Sequence, residues 1–401
     1  MISVANKLDC CGCSACANIC PSGSISMMRD SEGFLYPSVD MNKCFKCGLC
    51  KKTCPILNLA HEIEKKQTAY VVQHVDETIL AQSTSGGAFT AIAQYVIERG
   101  GIVWGAAFDE NFNVHHTGAN TLDKLQLFRG SKYVQSDIGS TYRDIKLFLD
   151  KGRYVCFSGT PCQVEGLLKY LNRPYDNLIT VDVVCRAVPT PLLWEKYVRM
   201  QQRRYKNQIT RFRFRDKSKY GYLGSTIAAI SEERYLYRKG IALDSFLRAF
   251  FSDICDRPSC YACKFKKRYR VSDFTIWDCF CANIFAPELD DNRGATCMLI
   301  QSDKGKRVFD KIATDLRRIQ VEADKITEEA KELTCSVSVN KLRGDFMQDL
   351  LLLDGEELFN KYFPTSFSKR VENAVRAVSI RLGVFRIIKK ASKKVLKRYK
   401  R

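Results

Sequence analysis

Cys10-Cys11-Gly12-Cys13-Ser14-Ala15-Cys16-Ala17-Asn18-Ile19-Cys20-Pro21 and Cys44-Phe45-Lys46-Cys47-Gly48-Leu49-Cys50-Lys51-Lys52-Thr53-Cys54-Pro55 are two copies of one pattern, C-x2-C-x2-C-x3-C-P. Three cysteines spaced by two residues can wrap one iron-sulfur cubane, while the fourth, redirected by a proline, points at the neighbouring cubane. The motifs therefore cross over. Cys10, Cys13, Cys16 and Cys54 are expected to hold one [4Fe-4S] cluster, and Cys44, Cys47, Cys50 and Cys20 the other. Zinc also accepts four thiolates, but a zinc ribbon needs neither the third cysteine nor the trailing proline of each copy. Between the copies, residues 24–27 and 33–36 flank Asp30-Ser31-Glu32-Gly33 and read as two short strands joined by a turn.

Outward from this repeat, residues 55–67 turn polar and mark a domain boundary. An α/β pattern follows. Thr68-Ala69-Tyr70-Val71-Val72 is strand-like, and Ser83-Thr84-Ser85-Gly86-Gly87 introduces a helix with Phe89, Ile92, Ala93, Val96 and Ile97 on one face. Residues 102–108 and 154–157 read as strands, 164–171 as a helix and 178–184 as a further strand, so strand, helix and strand in close succession predict a parallel pair. Alternation in Arg211-Phe212-Arg213-Phe214-Arg215 predicts an antiparallel meander over 209–237, with helices expected at 244–254, 303–318 and 323–334.

Cys162 and Cys185 fall where consecutive parallel strands would end, the edge at which open α/β sheets gather ligands. Cys260-Tyr261-Ala262-Cys263 adds a C-x2-C pair. The four thiols either close a further tetrahedral site or are separate buried thiols. The turn at residues 83–87 has the small residues and helix-start amides of an anion cradle, or is a well-capped helix start. No G-x-G-x-x-G and no G-x-x-x-x-G-K-[ST] occurs, which argues against a nicotinamide Rossmann site or a nucleoside-triphosphate loop.

Together with Arg129-Gly130-Ser131-Lys132-Tyr133-Val134-Gln135-Ser136, Ser158-Gly159-Thr160-Pro161-Cys162-Gln163, Asp182-Val183-Val184-Cys185, Arg257-Pro258-Ser259-Cys260-Tyr261-Ala262-Cys263 and Val271-Ser272-Asp273-Phe274-Thr275-Ile276, these motifs order the chain as one known family does. Over roughly residues 1–310 it resembles the family of coenzyme F-420 hydrogenase/dehydrogenase β subunits, in the bacterial form with a ferredoxin module in front. The resemblance implies an iron-sulfur, flavin-dependent oxidoreductase. Ser85, Gly86, Gly87, Ser131, Lys132 and Tyr133 would touch FAD, and Cys162, Cys185, Cys260 and Cys263 would hold a third [4Fe-4S] cluster. The sequence departs from the family in Cys185-Arg186-Ala187, where many relatives read Cys-His-Gly, and in Trp277-Asp278-Cys279-Phe280, where they read Gly-Asp-Phe-Trp. A tryptophan at a glycine position fills space beside a ring, and losing the histidine removes a proton donor.

The expected fold class is α+β. It comprises a two-cluster ferredoxin-type module over 1–60, an α/β flavin-binding domain over 68–170, an α+β C-terminal domain over 171–345 and a basic amphipathic tail over 366–401. The chain has 401 residues, 45% hydrophobic and 27% charged, with no apolar run long enough to cross a membrane and no secretory leader at its start. Nineteen cysteines then indicate metal rather than disulfides, and a cytoplasmic protein is expected.

Of the net charge of +20, most lies in residues 368–401, with thirteen Lys and Arg against Glu372 alone. Val371, Val375, Val378, Leu382, Phe385, Ile388, Val395 and Leu396 recur at helical spacing, so the tail either lies on an anionic membrane surface at the inner face or packs on the protein. No recognition motif accompanies the charge, and no nucleic acid is expected. Most of Cys11, Cys156, Cys255, Cys279, Cys281, Cys297 and Cys335 are expected to be buried small hydrophobes, and His61, His74, His115 and His116 to have surface or packing roles.

The expected activity is electron relay from a ferredoxin-like donor through the clusters to FAD and an organic substrate, with surface-polysaccharide metabolism suggested by family analogy. Substrate and catalytic residues cannot be read from the sequence. The alternatives are an electron-transfer subunit without its own substrate, or a non-catalytic redox sensor.

Overall fold

A computed structural model of the chain describes residues 1–4 and 6–385. The amino-terminal module contains α1 (Ala15–Ile19), β1 (Ile25–Arg29), β2 (Leu35–Val39) and α2 (Leu49–Thr53). β1 and β2 are antiparallel, with Ile25 opposite Val39. Their turn is set by Asp30, whose Oδ1 accepts the amides of Glu32 and Phe34 at 3.0 Å each, and by Gly33, whose φ of +86° favours glycine. Both short helices are preceded by a left-handed residue, Ser14 or Gly48, and both end on a cysteine in extended conformation, Cys20 or Cys54. The fourth cysteine of each motif thus leaves its helix instead of continuing it.

The body follows in the order β3 (Thr68–His74), α3 (Glu77–Gln82), α4 (Ala88–Ile97), β4 (Ile102–Phe108), β5 (Val114–Ala119), α5 (Thr141–Asp150), β6 (Val155–Gly159), α6 (Pro161–Leu171), β7 (Leu178–Val183) and α7 (Pro191–Arg204). It continues with β8 (Arg211–Asp216), β9 (Thr226–Ser231), β10 (Arg234–Gly240), α8 (Ser245–Phe251), β11 (Phe274–Asp278), α9 (Ala282–Phe285), β12 (Thr296–Ile300), α10 (Asp303–Ile312) and β13 (Leu316–Val321). One eight-stranded sheet runs β13-β3-β12-β11-β7-β6-β4-β5. β11, β7, β6 and β4 are parallel, and antiparallel neighbours flank them. The fold is α+β, as the sequence indicates. The division expected between residues 170 and 171 falls inside this sheet, where Val155 pairs with Leu178.

The meander expected at 209–237 is the three-stranded antiparallel sheet β10-β9-β8. Its inner face supplies Phe212 and Phe214 to an aromatic core around Trp194 and Phe246. The helix expected over 303–318 stops at Ile312, and residues 316–321 form an edge strand on β3. Leu316 and Ile319 have helical spacing, but β3 offers an unpaired edge, and Val72 sits opposite Arg318 across it. The expected helix 323–334 is two short ones, Ala323–Glu328 and Lys331–Thr334.

A terminal helix spans Phe367–Arg381. Arg376 donates to the Leu223 carbonyl at 2.9 Å and Ser379 is buried, so one face packs on the protein, while Val371, Val375, Val378 and Leu382 are exposed. Ile388, Val395 and Leu396 lie outside the described residues. Among the described residues no helix is long and apolar enough to cross a membrane.

The cysteine module is docked against the body. Arg257, completely buried, donates to the carbonyls of Cys10 at 2.8 Å and Leu35 at 2.9 Å and to Gln135 Oε1 at 3.0 Å. Its guanidinium lies 4.3 Å from the Tyr36 ring centroid. A Cβ on Gly12 would come within 2.8 Å of that guanidinium, and one on Gly166 would come within 3.0 Å of Cys13 Cβ. Arg143 on α5 donates to the carbonyls of Ala17 and Asn18, and Arg343 grips Glu32 through both carboxylate oxygens.

Candidate functional site

Cys20, Cys44, Cys47 and Cys50 line one small cavity. These are the four that the crossing pattern assigns to one cubane. Cys20 is drawn down to about 7, because the hydroxyls and amides of Ser24 and Ser22 outweigh its partial desolvation. Its sulfur lies 3.2 Å from Ser24 Oγ and 3.5 Å from Ser22 Oγ. The other four, Cys10, Cys13, Cys16 and Cys54, are linked electrostatically, with Cys10 acting on the remaining three. Cys16 is pushed up to about 12 by burial, then by Cys10 and Cys54. Mutually repelling buried thiols of this kind lose their protons when a cation shares them.

Cys162 stands in the first turn of α6 and Cys185 two residues beyond β7, both past the carboxyl ends of parallel strands. Cys260 lies in the 3₁₀ turn Pro258–Ala262, and Cys263 ends that turn. The structure brings the four together. Cys185 feels Cys162 and Cys263, Cys260 feels Cys185, and Cys263 feels Cys162. Burial pushes Cys185 up to about 12, while Lys266 opposes that rise from its position on the Cys185, Arg186 and Glu332 carbonyls.

Local hydrogen bonds fix these positions. Asp182 accepts from Arg270, Ser272 and Thr275, and Asp273 accepts the amide and hydroxyl of Thr180 at 2.9 and 3.0 Å. The polar residues of 271–276 therefore clamp the register of β7 and β11.

One cavity of about 1250 Å³ lies at this edge of the sheet. It is lined by all four of these cysteines together with Ser85, Gly87, Ser131, Lys132 and Tyr133. Thr84 accepts the Ser131 amide at 2.8 Å, which ties the two loops into one wall. Gly87, with φ of +80°, opens α4. Gly86 is enclosed behind the wall, where a Cβ would meet the Val72 carbonyl oxygen at 2.1 Å, so packing alone requires glycine there.

Burial pushes Lys132 down to about 7. Tyr133 stacks on Phe250 at 4.5 Å. Arg186, in the family's histidine position, is bound by Asp253 at 2.9 and 2.8 Å and by Glu332 at 3.4 Å. Trp277 forms part of the wall and leaves the cavity large.

Sequence spacing misses Cys11, which lines the cavity and lies within the field of Cys13 and Cys162. It joins the amino-terminal motif to the sheet-edge cysteines. Spacing is equally silent on Arg257, whose role depends on carbonyls more than two hundred residues away in the chain. Of the cysteines expected to be buried, Cys335 is exposed. His116 is on the cavity wall, between Ser136 and Ser158.

Fold and site define an iron-sulfur electron-transfer protein. Residues 152–328 match the family model for the C terminus of the coenzyme F420 hydrogenase/dehydrogenase beta subunit, and residues 9–57 match the 4Fe-4S dicluster domain. The chain thus carries the C-terminal domain of that hydrogenase/dehydrogenase β-subunit family, with a 4Fe-4S dicluster domain in front. It is similar to the F subunit of the F(420)H(2) dehydrogenase of Methanosarcina mazei, 21% identical over 168 residues, covering 39% of this chain and 47% of that protein. It is also similar to the coenzyme F420-dependent sulfite reductase of Methanocaldococcus jannaschii, 25% identical over 170 residues, covering 41% of this chain and 26% of that protein. The matches thus span less than half the length of these two relatives. A chain from the F420-reducing [NiFe] hydrogenase complex of Methanosarcina barkeri superposes with a TM-score of 0.47 at 16% identity, covering 72% of this chain and 93% of that one.

Proposed function

We propose that this protein is an iron-sulfur flavoprotein oxidoreductase, which takes electrons from a ferredoxin-like donor and delivers them to an organic substrate in the large cavity. One observation carries the reading: a single cavity is lined both by the four sheet-edge cysteines and by the two loops at 83–87 and 129–134. At about 1250 Å³ it exceeds the roughly 300–1,000 Å³ that encloses an ordinary small ligand. Its size suits a dinucleotide with a substrate beside it. Arg129 Nε, Arg215 Nη2 and Asp278 Oδ1 on its wall are buried without hydrogen-bond partners, as polar atoms awaiting a ligand would be.

In this reading Cys10, Cys13, Cys16 and Cys54 hold one [4Fe-4S] cluster, Cys20, Cys44, Cys47 and Cys50 a second, and Cys162, Cys185, Cys260 and Cys263 a third. Such clusters carry single electrons, and bound FAD would supply two-electron chemistry toward the substrate. The chain's own part is placement. Arg129 puts positive charge on the wall, the Thr84–Ser131 bond sets the spacing of the loops, and Tyr133 backed by Phe250 gives a flat apolar surface. Exposed Cys47, with Phe45 64% exposed beside it, suits the docking of a donor at the outer cysteines. The exposed apolar residues of the terminal helix suit an anionic membrane surface.

A second reading, an electron-transfer subunit without its own substrate, is favoured by the relative from Methanosarcina mazei, which is itself one subunit of a dehydrogenase. Anaerobic purification followed by iron, labile-sulfide and flavin analysis separates the two. About twelve irons and one FAD per chain are expected. About eight irons without flavin would favour the carrier, and zinc in place of iron at the amino-terminal motifs would overturn both.

A further inference from the structure

Three thiols that no cluster motif uses converge next to the cavity. Cys279 and Cys281 follow β11, and Cys297 is the second residue of β12. The two strands are antiparallel, with Trp277 opposite Cys297 and Asp278 opposite Thr296, and the Cys279 amide donates to Ala295 at 2.9 Å. This pairing folds the C-x-C segment back over Cys297. All three sulfurs lie within 4.8 Å of one another, and those of Cys279 and Cys281 are 4.0 Å apart. Cys279 and Cys297 are buried, whereas Cys281 lies on the cavity wall.

The spacing selects among metals. A tetrahedral ion with metal–sulfur bonds of about 2.3 Å sets its thiolates roughly 3.8 Å apart. A cubane spreads its cysteines over separate iron corners and needs a wider arrangement. Packing alone gives little reason to turn three sulfurs toward one point, since a thiol is only a weak donor and acceptor. The Tyr222 hydroxyl, buried without a hydrogen-bond partner, lies within the field of Cys279 and Cys297.

We infer that Cys279, Cys281 and Cys297 bind one zinc ion as thiolates, with a water from the cavity at the fourth position. Binding releases the thiol protons to solvent and changes no oxidation state. Through Cys281 the ion stands at the cavity wall, as a Lewis acid apart from the twelve cluster cysteines.

The test uses the full chain, purified anaerobically and incubated with zinc alone. Elemental analysis is expected to give one zinc per chain, and zinc X-ray absorption three sulfurs at about 2.3 Å with one lighter neighbour. Cys281→Ser and Cys297→Ser should each weaken zinc binding by about tenfold or more while iron content stays at the wild-type value. Unchanged iron also reports that the variant has folded, and Cys281→Ser, at the cavity wall, carries the test if the buried substitution does not fold. Absence of zinc from the wild type, zinc retained by both variants, or loss of iron in place of zinc would each overturn the assignment. None of these outcomes depends on whether FAD binds.

Discussion

His116 is buried on the cavity wall, stacked on Phe157, with Nδ1 2.7 Å from Ser136 Oγ and Nε2 2.9 Å from the Ser158 carbonyl. A carbonyl can only accept, so Nε2 carries the proton and Nδ1 accepts from the serine hydroxyl. Desolvation pushes the imidazole down to about 4 from an ordinary value of 6.5, a fall that the Ser158 contact opposes and that His115 and Lys132 reinforce. Between those values the unfolded chain binds the more protons, so stability is complete above about pH 6.5 and is lost as pH falls toward 4. At pH 5 the loss is about 2 kcal/mol. His116→Gln removes the titration while keeping a donor and an acceptor. Anaerobic urea unfolding at pH 7 and pH 5 should show a smaller drop in midpoint for the variant than for the wild type, and equal drops would refute this role for the imidazole.

The joint between β6 and α6 shows how an element delivers a cysteine. Thr160 precedes α6, and Gln163 Oε1 accepts both its amide at 3.0 Å and its hydroxyl at 3.1 Å, while the same hydroxyl lies 3.1 Å from Cys162 Sγ. Gln163→Leu keeps the side-chain bulk and strands the half-buried Thr160 donors. Chemical denaturation should register a loss of about 1–3 kcal/mol, and iron content should fall if Cys162 binds a cluster. A midpoint equal to that of the wild type would show the joint to be held by other means.

This joint was legible in the sequence because strand, capped helix and strand lie within thirty residues of chain, and so were the amino-terminal motifs, whose spacing is local. The cysteine trio was not, since Cys279 meets Cys297 only through the pairing of β11 with β12. Residues 316–321 misled for a related reason: Leu316 and Ile319 suit a helix face, and only the free edge of β3 makes them a strand.

At the scale of the whole molecule, the cysteine module is fixed to the body by three arginines, Arg257 and Arg143 on its backbone carbonyls and Arg343 on Glu32. Arg257 spans the junction, bound to Cys10 and Leu35 on one side and to Gln135 on the other, while Cys11 and Cys13 enter the same apolar core as Cys162 and Cys263. The connecting segment is pinned as well. Glu62 accepts the amides of Arg268 and Tyr269, and Lys267 donates to the Ala60 carbonyl at 3.0 Å. Arg257→Met retains much of the apolar stem and leaves three half-buried acceptors unpaired, a cost of about 1–3 kcal/mol. If that arginine is what holds the junction closed, the variant should be cut by a protease within residues 57–66 much faster than the wild type, under conditions where both keep native secondary structure by circular dichroism. Cleavage at the wild-type rate would mean that Glu62, Lys267 and the shared core suffice, and that Arg257 serves only the immediate surroundings of Cys10.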